Sequence, residues 1–259
     1  MRHHPFASAL VVACLLDPLG AAPTSPRPAH AQSQNATPGP YKPVAISLPR
    51  GLDDQSFDAF RKLLGQIAAK KDRAALARIV AANFFWIPED TDLADKSKPA
   101  IDNLARALAL GSGDSTGWDT LMAYAEEKTA MINSQRKGVF CAPGEPGYDE
   151  TAAIELANAT QTISSDWMYP LRDGTEVRSS PKPDAPVTER LGLHLVRVLP
   201  DDSPANAVTA NFHKVMTPSG KIGFVSVYAL REITEEQLCY VKEPTGWKIA
   251  GFFGGDPSQ

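Results

Sequence analysis

The sequence predicts an α+β protein, in which an N-terminal helical bundle is followed by a small β-barrel and an appended C-terminal β-hairpin. Three observations lead to this fold class. Apolar residues recur at helical spacing before residue 160, the pattern changes to strand alternation with Gly and Pro turns after Ser165, and two further apolar runs close the chain. We therefore expect three parts, namely a helical domain, a barrel, and a hairpin with a tail, at 51–165, 166–233 and 234–259.

Residues 1–31 have the pattern of a signal peptide. An apolar run at 6–19 follows the basic N-terminus, and the small residues Ala29 and Ala31 suit a cleavage site near Ala31. The run is shorter than the roughly 20 apolar residues that span a bilayer. We expect a periplasmic or secreted protein without a membrane span. The alternative is a lipoprotein, because Cys14 follows a short apolar stretch.

The charge balance limits the classes of partner. The chain has 26 basic and 30 acidic residues and a net charge of −4, with both signs well mixed. Nucleic acid and anionic lipid surfaces are therefore disfavoured as main partners. Nothing in the sequence predicts an oligomeric state.

The segment between the signal and the first helix, 32–50, contains four prolines among small polar residues and no apolar period. This composition is typical of a disordered linker.

Five helices are predicted next. The first begins at Asp53 or Asp54 and continues to Lys70, and the second begins at Asp72 and runs through Phe84, Phe85 and Trp86 as far as Pro88. The third starts at Pro99, the fourth at Ser115 or Thr116 with Met131 and Ile132 as its last inward positions, and the fifth covers 150–159. Their apolar stripes predict a four- or five-helix bundle.

Two stretches of the barrel region carry a resemblance. GTEVRSSPKPDAPVTERLG at 174–192 and FHKVMTPSGKIGFVSVYAL at 212–230 resemble the two halves of the bacterial SH3-like (SH3b) domain. Gly220 is expected to supply a positive φ for a tight turn, and Gly223 a close approach of two strands. Phe212 and Phe224 are expected to help fill the barrel. The whole chain also resembles a type of uncharacterised exported bacterial SH3-domain protein.

The resemblance implies a recognition module that binds cell-wall peptide (peptidoglycan) or an envelope protein without catalysis. The candidate ligand-binding residues lie in or beside the matched loops and combine apolar bodies with polar ends. They are Tyr169, Arg178, Phe212, His213, Lys214, Lys221 and Tyr228.

Cys141 and Cys239 remain after removal of the signal, and two thiols in an oxidising compartment usually form a disulfide. The bridge would connect the region before the barrel to the region after it. A loop of this length gives about 4 to 5 kcal/mol of stabilisation in chain-entropy estimates.

Two alternatives to simple binding remain open. The first is an envelope hydrolase that uses Cys141 with His194 or His213, although Cys141 precedes Pro143 and Gly144 in a loop without a helix N-terminus to activate its thiol. The second is an α+β small-ligand-binding domain, made of the helical region and the final hairpin, with the barrel inserted. No motif predicts a metal or a cofactor, and Asp90, Asp92 and Asp95 lack the closing Glu of a calcium loop.

Overall fold

The structure, a computed structural model, describes residues 39–111, 115–200 and 209–255. Within these ranges the chain forms five α-helices, a five-stranded sheet, a seven-stranded sheet and a two-stranded pair. The predicted mixture of helices and strands is therefore confirmed. None of the helices in these ranges is both long enough and apolar enough to cross a membrane. The predicted signal peptide and the alternative lipid site at Cys14 lie outside the described residues.

The helices begin where the sequence places capping side chains. The Asp54 carboxylate accepts hydrogen bonds from the Ser56 and Phe57 amides, and Asp72 and Asp149 each cap a later helix through one backbone N–H. The five helices are α1 Gln55–Ala69, α2 Arg73–Arg78, α3 Ala100–Ala107, α4 Thr116–Glu126 and α5 Glu150–Thr160.

The helical region does not form the predicted bundle, because it also contains strands. Helices α1, α3 and α4 pack on one face of a five-stranded sheet, which we call the inner face. The core there includes Leu64, Trp86, Leu121, Tyr240 and Phe252, each at most 1% exposed. The strands of this sheet, in spatial order, are β2 Val80–Ile87, β14 Gly246–Phe253, β13 Gln237–Glu243, β4 Val139–Ala142 and β3 Met131–Ile132.

The second predicted helix is too long. Helix α2 ends at Arg78, and the residues expected to continue it form β2. Phe84 and Trp86 point to the inner face while Phe85 belongs to a buried cluster on the opposite face, so all three aromatics are buried, as in a strand covered on both sides. The predicted end of the fourth helix is also wrong, since Met131 and Ile132 form β3.

The C-terminal hairpin belongs to this sheet and is not an appendage. β13 pairs antiparallel with β4, and β14 pairs parallel with β2. Strands that precede the barrel segment in the sequence therefore share one sheet with strands that follow it. The segment between β4 and β13 is therefore an insertion between two neighbouring strands of this sheet.

The inserted segment contains a seven-stranded antiparallel sheet in the region predicted to be a barrel. Its first and last strands are not paired with each other in the described residues, so the sheet is not a closed barrel. In spatial order it contains β12 Leu230–Glu232, β6 Trp167–Pro170, β9 Val196–Val198, β10 Phe212–Met216, β11 Ile222–Ser226, β7 Thr175–Arg178 and β8 Val187–Leu191.

The prediction of a disordered linker is wrong for residues 39–50, where the chain packs against the inserted sheet. β1 Ile46–Ser47 pairs with β5 Gly147–Tyr148. Tyr41, Val44 and Ile46 are each at most 8% exposed. The Tyr41 hydroxyl donates a hydrogen bond to the Met216 carbonyl at 3.0 Å. These apolar side chains order the segment despite its proline-rich composition, because burying them offsets the entropy cost of fixing the chain.

Two glycines have the roles that the sequence predicts. Gly220 has a φ of +83° in the turn between β10 and β11. A Cβ on Gly223 would lie 2.4 Å from Val177 Cγ1, so only glycine permits this approach of β11 and β7.

Candidate functional site

The two cysteines of the predicted disulfide are bonded. Cys141 on β4 and Cys239 on β13 are directly opposite in the register, and their sulfurs are 2.02 Å apart. Both are at most 1% exposed. A bonded cysteine has no thiolate, so Cys141 cannot act as the nucleophile of a Cys-His hydrolase in this state. No group of three or more His, Cys, Asp or Glu side chains in the described part of the chain could hold a metal ion.

The predicted ligand-binding residues fall into separate environments. Tyr169 is 0% exposed and lies in the core beside Trp167 and Met216, so its assignment to the surface is wrong. Tyr228, in contrast, is 80% exposed in the turn before β12, and Lys221 is exposed after the Gly220 turn. The structure does not bring these three side chains to one site.

His213 lies on the opposite face of β10 from its neighbours Phe212 and Lys214. It is paired with Val225, whose side chain faces the apolar interior. Burial lowers the pKa of the His213 imidazole, and the nearby Glu232 carboxylate opposes this only in part. A neutral, partly buried imidazole at this position is not part of an exposed binding face.

Three strands bring the predicted residues Lys214 and Arg178 together on either side of Phe224, which the sequence did not predict as a ligand-binding residue. Lys214 on β10 is directly opposite Phe224 on β11, and Phe224 is directly opposite Arg178 on β7. Directly opposite residues share a face of the sheet, with Cβ atoms about 5 Å apart. The residues that alternate with them, Val177, Val215 and Val225, fill the apolar interior. Lys214, Phe224 and Arg178 therefore form a row on the outward face, where each is partly exposed.

Phe212 extends this row. It precedes Lys214 by two residues on β10 and is paired with Ser226, which puts it on the same face and leaves it partly exposed. The expectation that Phe212 and Phe224 fill the interior is therefore wrong. The alternation of side chains along a strand predicts the outward orientation of Phe224. Its neighbours Gly223 and Val225 face the interior, so Phe224 faces the other way. We call the surface formed by Arg178, Phe212, Lys214 and Phe224 the aromatic row.

The charges beside the aromatic row are partly compensated. Arg178 Nη2 lies 2.5 Å from Glu176 Oε2, and its Nη1 donates to the Ala185 carbonyl at 2.7 Å. Arg190 Nη2 makes a second ion pair with Glu176 at 2.9 Å. The Lys214 ammonium makes no hydrogen bond or ion pair with any described residue, so it is the cation of the row that is available to a ligand. The sequence prediction missed Glu176, which holds Arg178 in place.

Comparison with known proteins adds little to this geometry. No family model matches the chain, and no curated protein matches it. Among solved structures, the chain is similar to one from Xanthomonas campestris described as "Putative calcium/calmodulin dependent protein kinase II association domain". The two are 8% identical, the alignment covers 83% of this chain and 96% of that chain, and the TM-score is 0.24. A TM-score of this size supports no conclusion about the fold or the function of this chain.

Proposed function

We propose that this is an exported, non-catalytic binding protein that holds a peptide of the cell wall on the aromatic row of its inserted sheet. The observation that carries the proposal is the alignment of Lys214, Phe224 and Arg178 across three neighbouring strands. We further propose that residues 166–233 are an SH3-like unit. The antiparallel order β9, β10, β11, β7, β8, the Gly220 turn and the close approach of β11 and β7 at Gly223 support this part of the proposal.

The chemistry of the row suits a peptide with a free carboxylate. The partly exposed rings of Phe212 and Phe224 offer flat apolar area, which binds small aliphatic side chains without much loss of conformational entropy. The uncompensated ammonium of Lys214 can pair with a carboxylate, while Arg178 is already held by Glu176 and Ala185. Short peptides with carboxylates and small side chains are components of the bacterial cell wall, which makes them the first candidate ligand.

The predicted export signal and the disulfide both favour a location outside the cytoplasm. The predicted signal peptide would bring the chain to the periplasm or the outside of the cell, where a bond between Cys141 and Cys239 persists.

Sedimentation with isolated peptidoglycan tests this function. The double variant Lys214→Glu and Phe224→Ser reverses the free charge and removes one ring, and we expect it to remain in the supernatant while wild-type protein pellets. Lys62→Glu makes the same charge reversal at an exposed position on α1 and should pellet like wild type. Point variants are preferable to deletion of 166–233, because Tyr169 and Met216 from that segment share a core with Tyr41.

Two results would count against the proposal. If wild type and the double variant pellet equally, the aromatic row is not the binding surface. If wild-type protein stays in the supernatant, the cell wall is not the ligand, and an envelope protein remains as the partner of the aromatic row.

A further inference from the structure

A pocket of about 350 Å³ lies between helix α5 and the inserted sheet. Its apolar base is formed by Leu156 of α5, Trp167 of β6, Leu195 directly before β9 and Ile233 directly after β12, each at most 7% exposed. Ligand pockets have volumes of about 300 to 1,000 Å³, so this pocket is large enough to hold one large apolar side chain.

Helix α5 is more apolar than its packing within the chain requires. Its sequence, ETAAIELANAT, contains two charged residues, Glu150 and Glu155, and yet only Leu156 is buried. Ile154 is 63% exposed at the rim of the pocket, and Ile163, shortly after the helix, is 67% exposed. A helix that is apolar around most of its circumference is normally covered by other parts of a protein. The exposed side of α5 is therefore a candidate contact surface for a partner.

The residues of α5 that line the mouth of the pocket form one stripe. Glu150, Ala153, Ile154 and Ala157 are at positions i, i+3, i+4 and i+7, and side chains at this spacing lie on the same face of a helix. The stripe is apolar at three positions and carries a carboxylate at its N-terminal end. We call this stripe, together with the pocket beneath it, the α5 surface.

The charge around the α5 surface is negative. Residues 138–171 contain five acidic residues and no Lys, Arg or His, and none of the described lining residues of the pocket is basic. The carboxylates of Glu150 and Glu155 make no hydrogen bond or ion pair with any residue that the structure describes. Burial raises the pKa of the Tyr148 hydroxyl, which also lines the pocket, and the Glu150 and Glu145 carboxylates raise it further.

This charge distinguishes between two possible occupants of the α5 surface. Two copies of the chain that met through it would bring carboxylates of the same sign together, which costs free energy. A basic segment of another protein would instead be attracted to it. An apolar anchor in a pocket, surrounded by polar contacts, is the usual arrangement at the centre of a protein–protein interface.

We propose that the α5 surface binds a basic segment of a partner protein, which inserts one large apolar side chain into the pocket. The anchor side chain lies against Ala153, Ala157 and Trp167, and Ile154 packs beside it. Basic side chains of the segment pair with Glu150. The α5 surface shares no residue with the aromatic row and does not depend on the function proposed for that row.

Titration of a fluorescently labelled peptide, KKAWAKK, with the full mature protein tests this proposal by fluorescence anisotropy. Two control peptides separate the charge from the anchor. EEAWAEE has acidic residues in place of the basic ones, and KKASAKK has Ser in place of the Trp anchor. We expect KKAWAKK to bind at least about tenfold more tightly than either control, because only this peptide has both features.

Variants of the protein locate the binding. Ile154→Ser should weaken the binding of KKAWAKK by about fivefold or more, whereas Leu63→Ser, at a position 44% exposed on α1, should leave it unchanged. Glu150→Gln should weaken binding by about threefold, whereas Glu126→Gln, at an exposed position on α4, should not. Ala153→Leu fills part of the pocket and should reduce the affinity for KKAWAKK to that for KKASAKK.

Melting curves show whether each variant is folded, and Ala157→Leu replaces Ala153→Leu if that variant is not. The proposal is overturned if KKAWAKK binds no more tightly than either control peptide, or if none of the folded variants of the α5 surface weakens its binding. Sedimentation velocity of the protein alone tests the other occupant. We expect the same molecular mass for wild type and Ile154→Ser, and a wild-type dimer that this variant converts to a monomer would overturn the proposal in favour of a second copy.

Discussion

Cys141 and Cys239 face each other across the neighbouring strands β4 and β13, with a Cα–Cα distance of 4.0 Å. They are 98 positions apart in the sequence, and the whole inserted sheet lies between them. The bond therefore joins the point where the chain leaves the five-stranded sheet to the point where it returns. The disulfide thus links the two strands between which the inserted segment begins and ends.

Removal of the disulfide should lower the stability of the folded protein. For the double variant Cys141→Ala and Cys239→Ala, we expect the free energy of unfolding to fall by up to about 4 to 5 kcal/mol, because the unfolded chain regains the entropy of a long closed loop. Urea unfolding of the oxidised protein and of the variant measures the difference. A loss below about 1 kcal/mol would mean that residual structure in the unfolded state already holds the two strands together.

Two buried tyrosines should respond differently to loss of the hydroxyl. The Tyr41 hydroxyl donates a hydrogen bond to the Met216 carbonyl at 3.0 Å. Tyr41→Phe removes this donor from the buried carbonyl and should lower the free energy of unfolding by about 1 to 2 kcal/mol. The Tyr169 hydroxyl makes no hydrogen bond of normal geometry with a described residue and has only the nearby Arg231 guanidinium as a polar neighbour, so Tyr169→Phe should lower the free energy of unfolding less than Tyr41→Phe. Thermal unfolding of the two variants compares them directly, and an equal loss for both would contradict this difference between the two hydroxyls.

Asp54 links the start of α1 to the C-terminal hairpin. Its carboxylate caps the helix and lies 2.7 Å from Lys242 Nζ, and the hydrogen bonds from Lys242 and Ser56 lower the pKa of Asp54 far below its usual range. A lowered pKa in the folded state stabilises the protein above the unfolded pKa, about 4 for Asp, and this contribution is lost as the pH falls towards the folded value. Asp54→Asn should keep much of the cap but lose this pH dependence, whereas Asp54→Ala should lose both. Melting temperatures between pH 2 and about 7 distinguish the variants.

Much of the helical structure was predictable from local signals. Asp54, Asp72 and Pro99 begin helices because capping depends on a few neighbouring residues. The same is true of the Gly220 turn, whose positive φ is a property of one residue. The cysteine pair was predictable by elimination, since only two thiols follow the predicted cleavage site.

The sheets were less predictable, because their pairings are distant in the sequence. The aromatic run of β2 suits a helix or a strand, and its parallel partner β14 lies more than 150 positions later. The proline-rich segment at 39–50 becomes ordered only because the inserted sheet buries Tyr41 and Ile46. Alternation along β10 and β11 contained the signal that Phe224 faces outward, but only the strand register brings it between Lys214 and Arg178.

Local signals in the sequence were enough to predict the start of each helix, the Gly220 turn, the mixture of helices and strands and the disulfide partners, since these depend on neighbouring residues or on a simple count. Long-range strand pairing places the terminal hairpin in the sheet of the helical region, with the barrel segment inserted. The register of β10, β11 and β7 likewise brings Lys214, Phe224 and Arg178 into one row. Such contacts join distant parts of the chain, and the buried apolar surface that stabilises them exists only after the strands have paired.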